Sequence, residues 1–278
     1  MKYRRSGRLV DMTNYFLSHP HQQIPLTHFS EAYQSAKSSI SEDISIIKEV
    51  FESKHIGTIS TTAGASGGVT FVPTVARQQT EELIDRLCDR LEEPERLLPG
   101  GYLYMMDIIG DPNLMQELGR VFASKFRDAS VDAVMTMATK GIPLAYAVAG
   151  HLNVPVSIVR AQHRITEGSI VSINYVSGSQ KRIQTMSLAR RSLKPNSNVL
   201  IIDDFMKAGG TIRGMMDLVS EFQSSIAGIG VLTEAVHDEE KLVSDYVSLT
   251  KLSEVDLKAK QIKVEQGNIF SLDYSYED

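Results

Sequence analysis

Residues 199–211 read VLIIDDFMKAGGT, and this stretch decides the fold of most of the chain. Four apolar residues end at the paired acids Asp203 and Asp204, and a Gly-Gly-Thr turn follows just before a predicted helix. An apolar run bounded in this way is typical of a buried parallel strand with the turn at its C-terminal end. Open α/β sheets bind their ligands at that edge. The stretch therefore predicts an α/β fold with a ligand site beside the two acids.

The residues of this turn suit a phosphorylated ligand. Gly209 and Gly210 let the backbone close around a phosphate, and the N–H groups at the start of the next helix face it. Thr211 adds a hydroxyl, while the carboxylates of Asp203 and Asp204 suit ribose hydroxyls or a hydrated Mg²⁺. An ordinary strand-to-helix turn with surface acids is the alternative interpretation.

The run resembles the signature of the type I phosphoribosyltransferases, which bind phosphoribosyl pyrophosphate (PRPP). The resemblance implies that the acids hold the ribose and that the glycine turn holds the 5′-phosphate. It also implies that a second loop, at residues 139–141, meets the diphosphate through backbone N–H groups and a basic side chain. Mg²⁺ would arrive with PRPP, since the seven histidines form no metal-ligand set. The residues assigned to PRPP are Asp203, Asp204, Phe205, Met206, Lys207, Ala208, Gly209, Gly210, Thr211, Thr139, Lys140 and Gly141.

Two residues of the run depart from the pattern of these enzymes. Ala208 stands where they usually have threonine, which removes one hydroxyl donor to the phosphate. Lys207 stands where the hypoxanthine-type enzymes carry a carboxylate that serves as general base. An ammonium group cannot accept a proton from a purine nitrogen at neutral pH, and it disfavours a cationic transition state. The site is therefore better equipped to bind PRPP than to turn it over.

Composition and charge limit the class of protein. At 278 residues the chain has room for one large or two modest domains, and its net charge of −5 argues against a uniformly basic nucleic-acid coat. The single cysteine, Cys88, excludes an internal disulfide and fits a reducing compartment. No apolar stretch approaches a membrane span, and the charged N-terminus lacks the apolar region of a signal peptide. These features predict a cytoplasmic protein with no membrane partner.

Residues 1–74 predict a first domain of three helices and a hairpin. Residues 58–62 and 69–72 alternate as strands around a glycine-rich tip. The motif Ser39-x-x-Glu42 predicts a capping box at the start of the third helix. Apolar residues at helical spacing mark the helices: Leu9, Met12 and Phe16 in the first, which Pro20 closes, Leu26, Phe29 and Tyr33 in the second, and Ile40, Ile44, Ile47 and Phe51 in the third.

This order resembles a winged helix-turn-helix domain, whose third helix would enter the major groove of duplex DNA and whose hairpin would be the wing. A dimerisation module with serine caps and a flexible tip is the alternative. The predicted DNA contacts are cations, short hydroxyl donors and accessible backbone. They are Lys37, Ser38, Ser39 and Ser41 on the helix, Gly64, Ser66 and Gly67 at the wing tip, and Lys2, Tyr3, Arg4, Arg5 and Arg8 in a basic N-terminal arm.

Residues 75–278 predict a second domain in which helices alternate with apolar runs, as in a doubly wound parallel sheet. Strands are expected at 101–107, 133–137, 156–160, 199–204 and 226–234, and helices at 80–91, 113–126, 142–151 and 211–222. A hairpin of 171–176 with 182–187 would correspond to the mobile hood of the enzymes. Its cations would be Lys181, Arg182, Arg190 and Arg191, with a solvated strand face as the alternative role for each. Tyr102 and Phe205 are candidates for stacking on a base, although packing is the commoner role of such aromatics.

A winged helix followed by such a domain resembles the purine operon repressors of Gram-positive bacteria over essentially the whole chain. The likeness includes MKYRRSGRLVDMTNYFL at the start, TKGIP at 139–143 and KRIQTMSLARRSL at 181–193. It implies a homodimeric repressor of purine synthesis and transport genes, which binds double-stranded operator DNA and is released by PRPP. Purine nucleotides are further candidates for the same cleft, because they share the 5′-phosphate.

Two other functions remain open from the sequence. The first is an active purine or xanthine phosphoribosyltransferase with an appended regulatory domain, against which the missing carboxylate at Lys207 argues. The second is an RNA-binding attenuator, as in pyrimidine regulators of related fold. A winged helix favours duplex DNA, whereas RNA is more often read as single strands or by the shape of the A-form helix.

Overall fold

The computed structural model describes residues 3–64, 67–99, 102–162, 165–177, 182–236 and 240–271. The chain divides into two compact units, one formed by residues 1–76 with 151–153 and the other by residues 77–150 with 154–278. No helix in these described ranges is long and apolar enough to cross a membrane. Three residues assigned to binding from the sequence, Lys2, Ser66 and Lys181, lie outside the described residues.

The first unit has the predicted order of three helices and a hairpin. The helices are α1 (Arg5–Ser18), α2 (Leu26–Tyr33) and α3 (Lys37–Ser53), and the strands β1 (Gly57–Thr62) and β2 (Gly68–Pro73) pair antiparallel. The apolar residues spaced three and four apart on the helices share one core with Ile59 and Phe71 of the hairpin. The helical periodicity therefore predicted this core correctly.

The start of α3 differs from the prediction. The helix begins at Lys37, and Ala36 is the extended residue before it, without a side-chain cap. The N–H of Ile40 already donates to the carbonyl oxygen of Ala36 at 3.1 Å. Because Ser39 lies inside the first turn, its side chain is not the cap, and the predicted Ser39-x-x-Glu42 capping box is wrong.

Five α-helices and ten strands follow the first unit along the described residues, and only the last two residues of α7 fall outside the second unit. Along the chain they are α4 (Arg77–Leu91), β3 (Leu97–Leu98), β4 (Tyr102–Leu103), α5 (Met106–Ile109), α6 (Pro112–Lys125), β5 (Ala133–Met137), α7 (Ile142–Leu152), β6 (Val156–Val159), β7 (Ile170–Ser177), β8 (Arg182–Ala189), β9 (Asn198–Met206), α8 (Gly210–Glu221), β10 (Ser225–Ala235), β11 (Val247–Asp256) and β12 (Gln261–Gln266).

The main sheet has the spatial order β12-β11-β10-β9-β5-β6. Its neighbours pair parallel except for β11 and β12, which pair antiparallel. The direction of winding reverses between β5 and β9, since β6 follows β5 on one side and β10 and β11 follow β9 on the other. Such a switch point leaves a crevice at the carboxyl ends of the two strands. The turns after Met137 and Met206 both leave the sheet there.

Two parts of the second unit differ from the prediction. Of the strand expected at 101–107, only Tyr102–Leu103 is a strand, and Met106–Ile109 is helical. A short apolar run does not distinguish strand from helix, which explains this error. The strands β11 and β12 were not predicted, and the sheet is therefore mixed, with an antiparallel edge strand, and not wholly parallel.

Candidate ligand site and nucleic-acid interface

The turn after β9 is shaped by a glycine and a helix start. Gly209 has φ +83°, in the left-handed region that favours glycine, and it directly precedes α8. Its carbonyl oxygen accepts the N–H of Arg213 at 2.9 Å. The N–H groups of the first helical turn have no acceptor within the helix, and the positive end of the helix dipole lies beside them. This turn (residues 207–210) therefore offers donors to an anion.

The two acids at the end of β9 differ in exposure, since Asp203 is buried and Asp204 is half-buried. Asp203 is 5% exposed, and its Oδ1 accepts the N–H of Asp204 at 3.1 Å. Burial and the neighbouring charge of Asp204 raise the pKa of Asp203 well above its usual value. Burial also raises the pKa of Asp204, although the charge of Lys140 works against that rise. A ligand that brings hydroxyl donors or a cation would stabilise the charged form of these two carboxylates.

Gly141 brings the second loop close to the acids. A Cβ on this residue would overlap Oγ1 of Thr136 and lie 3.2 Å from Oδ1 of Asp203. Only glycine fits this close approach, and it joins the ends of β5 and β9 in one site. Within the described residues, Oγ1 of Thr136 is buried without a hydrogen-bond partner. Thr136 was not among the predicted site residues, because a threonine inside an apolar strand carries no signal in the sequence.

The other predicted PRPP residues fall into two groups. Thr139, Lys140 and Lys207 are exposed, Thr211 and Phe205 are half-buried, and each lies on or beside one of the two loops. Met206, in contrast, is 2% exposed and belongs to the apolar core. Its side chain therefore packs beneath the turn, and only its backbone is placed to take part in the site.

The two candidate stacking residues are not brought together. Phe205 lies on β9 beside the acids, whereas Tyr102 lies on β4 and is 70% exposed. No hydrogen bond or ring contact among the described residues joins Tyr102 to Phe205. A stacking role for Tyr102 stays a prediction.

The hairpin of β7 and β8 packs on α8 next to the turn. A Cβ on Gly214 would lie 2.6 Å from Cε of Met186 and 3.1 Å from the Cβ of Tyr175. The Tyr175 hydroxyl donates to Oε1 of Gln184 at 2.8 Å. Burial raises the pKa of this hydroxyl, and a side-chain hydrogen bond with Thr211 opposes that rise. The predicted hood therefore packs against α8, the helix that begins directly after this turn.

The predicted face of α3 is accessible in the first unit. Lys37, Ser38 and Ser41 are exposed and Ser39 is half-buried. Ser45, one turn beyond Ser41, is also exposed, and its hydroxyl donates to the carbonyl oxygen of Ser41 at 2.9 Å. At the wing, Gly64 has φ +118° and its carbonyl oxygen accepts the N–H of Gly67 at 3.0 Å.

The predicted basic arm is not a free arm. Arg5 and Arg8 lie inside α1, and their Nε atoms donate to the two carboxylate oxygens of Asp43 at 2.9 Å and 2.8 Å. Asp43 is fully buried on α3. Because a buried carboxylate needs such partners, these two arginines join α1 to α3, and their contact with DNA phosphates stays a prediction. Arg4 is exposed at the start of the helix, and Tyr3 stacks edge-on against Tyr33 at 5.5 Å.

Two family models match the chain. Residues 4–73 match the N-terminal domain of the bacterial purine repressor. Residues 105–266 match the phosphoribosyl transferase domain. Both matches agree with the fold predicted for their part of the chain.

Relatives with curated names cover almost the whole chain. The purine biosynthesis transcriptional repressor PurR of Bacillus subtilis is 60% identical over 96% of this chain and 94% of its own. The purine biosynthesis transcriptional activator PurR of Lactococcus lactis is 44% identical over 96% of this chain and 99% of its own. Among solved structures, adenine phosphoribosyltransferase from Rhodothermus marinus is 20% identical, with TM-score 0.49 over 56% of this chain and 88% of its own.

Asp203 is expected to cost stability in the unliganded protein. Its pKa in the folded state lies above the value near 3.9 of an unfolded chain, so stability falls as pH rises between the two values. Asp203→Asn should therefore raise Tm at pH 8, by about 2–4 °C for each kcal/mol relieved. The gain should shrink as pH falls towards 4. Asp217→Asn, which changes an exposed acid on α8, is the control in the same calorimetric scans. A loss of stability on Asp203→Asn at pH 8 would contradict this account.

Asp43→Ala is expected to destabilise the first unit by about 3 kcal/mol, because it leaves Arg8 without its buried partner. Denaturant unfolding of the full chain would measure this change. Glu42→Ala is the matched control, since Glu42 is exposed and lies 3.7 Å from Arg5, and its effect should stay within about 0.5 kcal/mol. Unchanged stability of Asp43→Ala would show that the ion pairs of Arg5 and Arg8 with Asp43 do not stabilise the first unit.

Proposed function

This chain belongs to the bacterial purine repressor family, and we propose that it represses purine biosynthesis genes by binding double-stranded operator DNA as a homodimer in the cytoplasm. We further propose that PRPP is the effector that releases it. The observation that carries the proposal is the buried Asp203 beside the half-buried Asp204, next to a glycine turn at a helix start, at the switch point of the sheet. The same chain carries a first unit with helix α3 and a wing exposed for DNA.

Repression is assigned because the relative named a repressor shares more identity with this chain than the one named an activator. Purine transport genes remain among the expected targets, on the resemblance alone. A reporter gene placed behind the operator would test the direction: deletion of the regulator should raise expression, and a fall in expression would reassign it as an activator.

The chemistry of PRPP fits the residues of the site. The 5′-phosphate would accept the free N–H groups at the start of α8 and the Thr211 hydroxyl. The ribose hydroxyls would donate to Asp203 and Asp204, and the diphosphate would lie at Thr139-Lys140-Gly141, where Lys140 supplies a cation. Mg²⁺ bound to the diphosphate would neutralise charge next to the acids, and it requires no protein-only metal cage. Purine nucleotides share the 5′-phosphate and are proposed as weaker competitors.

Sensing is proposed in preference to catalysis. Lys207 is exposed in the turn, where an ammonium group attracts anions but cannot take a proton from a purine base. Ala208 offers no hydroxyl, and its carbonyl oxygen accepts the N–H of Leu242 at 2.9 Å. Lys207 thus removes the general base that turnover would use, while Ala208 removes one hydroxyl donor to the phosphate and leaves the backbone donors of the turn in place.

PRPP with Mg²⁺ is expected to weaken operator binding by about tenfold or more, within the range of about 5- to 150-fold that is common for allosteric coupling. Fluorescence anisotropy of labelled operator DNA would measure the release. The double variant Asp203→Ala, Asp204→Ala should bind the operator and ignore PRPP, whereas Asp217→Asn should respond normally. Operator affinity that is the same with and without PRPP would exclude PRPP as the effector.

A pyrophosphate-release assay separates the sensor from an enzyme. The protein is incubated with PRPP, Mg²⁺ and each purine base in turn, and no release above the background is expected. Release at about 1 s⁻¹ or faster would show an active phosphoribosyltransferase and contradict the sensor.

Arg4→Ala is expected to weaken operator and unrelated duplexes equally and to lower the slope of log affinity against log salt by about 1. The physical reason is the loss of one phosphate contact from an exposed cation. Lys54→Ala, at the C-terminal end of α3, is the control. An unchanged slope would remove Arg4 from the DNA contacts.

A further inference from the structure

A buried acid outside the predicted site lies close to the anion-binding turn. Glu234, near the end of β10, is 5% exposed and pairs in register with Met206, the last residue of β9. No sequence motif marked Glu234, and neither the PRPP contacts nor the DNA contacts proposed above use it. A carboxylate buried at this place needs an explanation, because burying an unpaired charge is costly.

The carboxylate of Glu234 is fully satisfied by side chains. Oε1 accepts the hydroxyl of Ser248 at 2.7 Å, and Oε2 accepts the hydroxyl of Tyr246 at 2.6 Å and the ammonium of Lys241. Lys241 also donates to the Tyr246 hydroxyl at 2.8 Å. Burial alone would raise the pKa of Glu234, but these donated bonds outweigh it and hold the pKa below its usual value. Glu234 is therefore ionised and holds the ammonium group of Lys241 in an ion pair.

Asn268 ties this cluster to the sheet. Its Oδ1 accepts the backbone N–H of Ser248 at 2.7 Å, and its Nδ2 donates to the carbonyl oxygen of Tyr246 at 2.8 Å. The backbone N–H of Asn268 donates to the Ser248 hydroxyl at 3.1 Å. Ser248 and Tyr246, two of the three donors to Glu234, are thus also held in place by Asn268.

The third donor belongs to a strap, residues 241–243, that touches the turn directly. The N–H of Leu242 donates to the carbonyl oxygen of Ala208 at 2.9 Å. Cγ2 of Val243 lies 3.3 Å from the position that a Cβ on Gly209 would take, and Val243 is buried. The strap thus contacts two successive residues of the turn, and Lys241 at its start is held by Glu234.

We propose that Glu234 is a positioning residue for the phosphate turn: through Lys241 it holds the strap that fixes Ala208 and Gly209 in the shape that receives the 5′-phosphate of PRPP. This inference rests on the proposed function, because it names a further residue for the same site. Ala208 lacks the hydroxyl usual in the enzymes, and the strap supplies the turn with a backbone hydrogen bond from outside. A loop fixed before the ligand arrives loses less entropy on binding.

The test uses PRPP with Mg²⁺, titrated calorimetrically into the full-length protein and three variants. Glu234→Gln keeps the volume but removes the charge that holds Lys241. Val243→Ala shortens the strap contact with Gly209. Asp107→Asn weakens another ion pair of the second unit, that with Arg96, and is the control. Tm and operator affinity without PRPP are measured on each variant, and hydrogen exchange of the amides at 208–212 reports the turn itself.

Glu234→Gln is expected to raise the Kd for PRPP about tenfold, at the low end of the roughly ten- to hundredfold loss that follows when the partners of metal ligands are changed. It should speed amide exchange at 208–212 and leave operator affinity unchanged. Val243→Ala should raise the Kd as well. The Kd of the double variant should not exceed the higher of the two single-variant Kd values, because both changes act through the strap. Asp107→Asn should lower Tm without a change in Kd.

An unchanged Kd in Glu234→Gln would overturn the inference, and so would single-variant effects that multiply in the double variant. If Glu234→Gln does not fold, Val243→Ala decides, and an unchanged Kd there overturns the inference. A wild-type protein that binds no PRPP would instead overturn the proposed function, and this inference with it.

Discussion

A buried carboxylate is costly unless it is paired with a cation or accepts hydrogen bonds, and the binding properties of this protein depend on which of its buried carboxylates have such partners. Asp43 is paired with Arg5 and Arg8. Glu234 accepts hydrogen bonds from Lys241, Tyr246 and Ser248. Asp203 is buried as deeply as Glu234, but it faces a second acid, Asp204, and no described ion pair includes it. Of these three buried acids, Asp203 is the one left for a ligand.

The sheet makes this arrangement possible. Because the winding reverses between β5 and β9, two strand ends and two helix starts open on one crevice. Gly141 lets the loop of one strand approach the acid of the other, and Gly209 turns the second loop into α8. Burial of Asp203 is expected to cost stability in the unliganded protein, as is common for residues of a functional site.

The sequence predicted the parts of the molecule whose signal is local. Residues 199–211 predicted the strand, the turn and the helix of the site, and the spacing from Leu9 to Phe51 predicted the core of the first unit. Glu234, Thr136 and Asp43 had no local signal, because each acquires its role from residues far along the chain. The same reason explains Arg5 and Arg8: a cluster of cations near the N-terminus is typical of a DNA-binding arm, and only the tertiary structure shows their buried partner.

In the proposed function, an anion site in the second unit is coupled to operator binding by the first unit. The most direct measurement is the Kd for PRPP with Mg²⁺, determined once in the absence and once in the presence of saturating operator DNA. Thermodynamic linkage requires the operator to weaken PRPP binding by the same factor by which PRPP weakens operator binding. Equal weakening in both directions is the predicted result, and a PRPP affinity that the operator leaves unchanged would contradict the account.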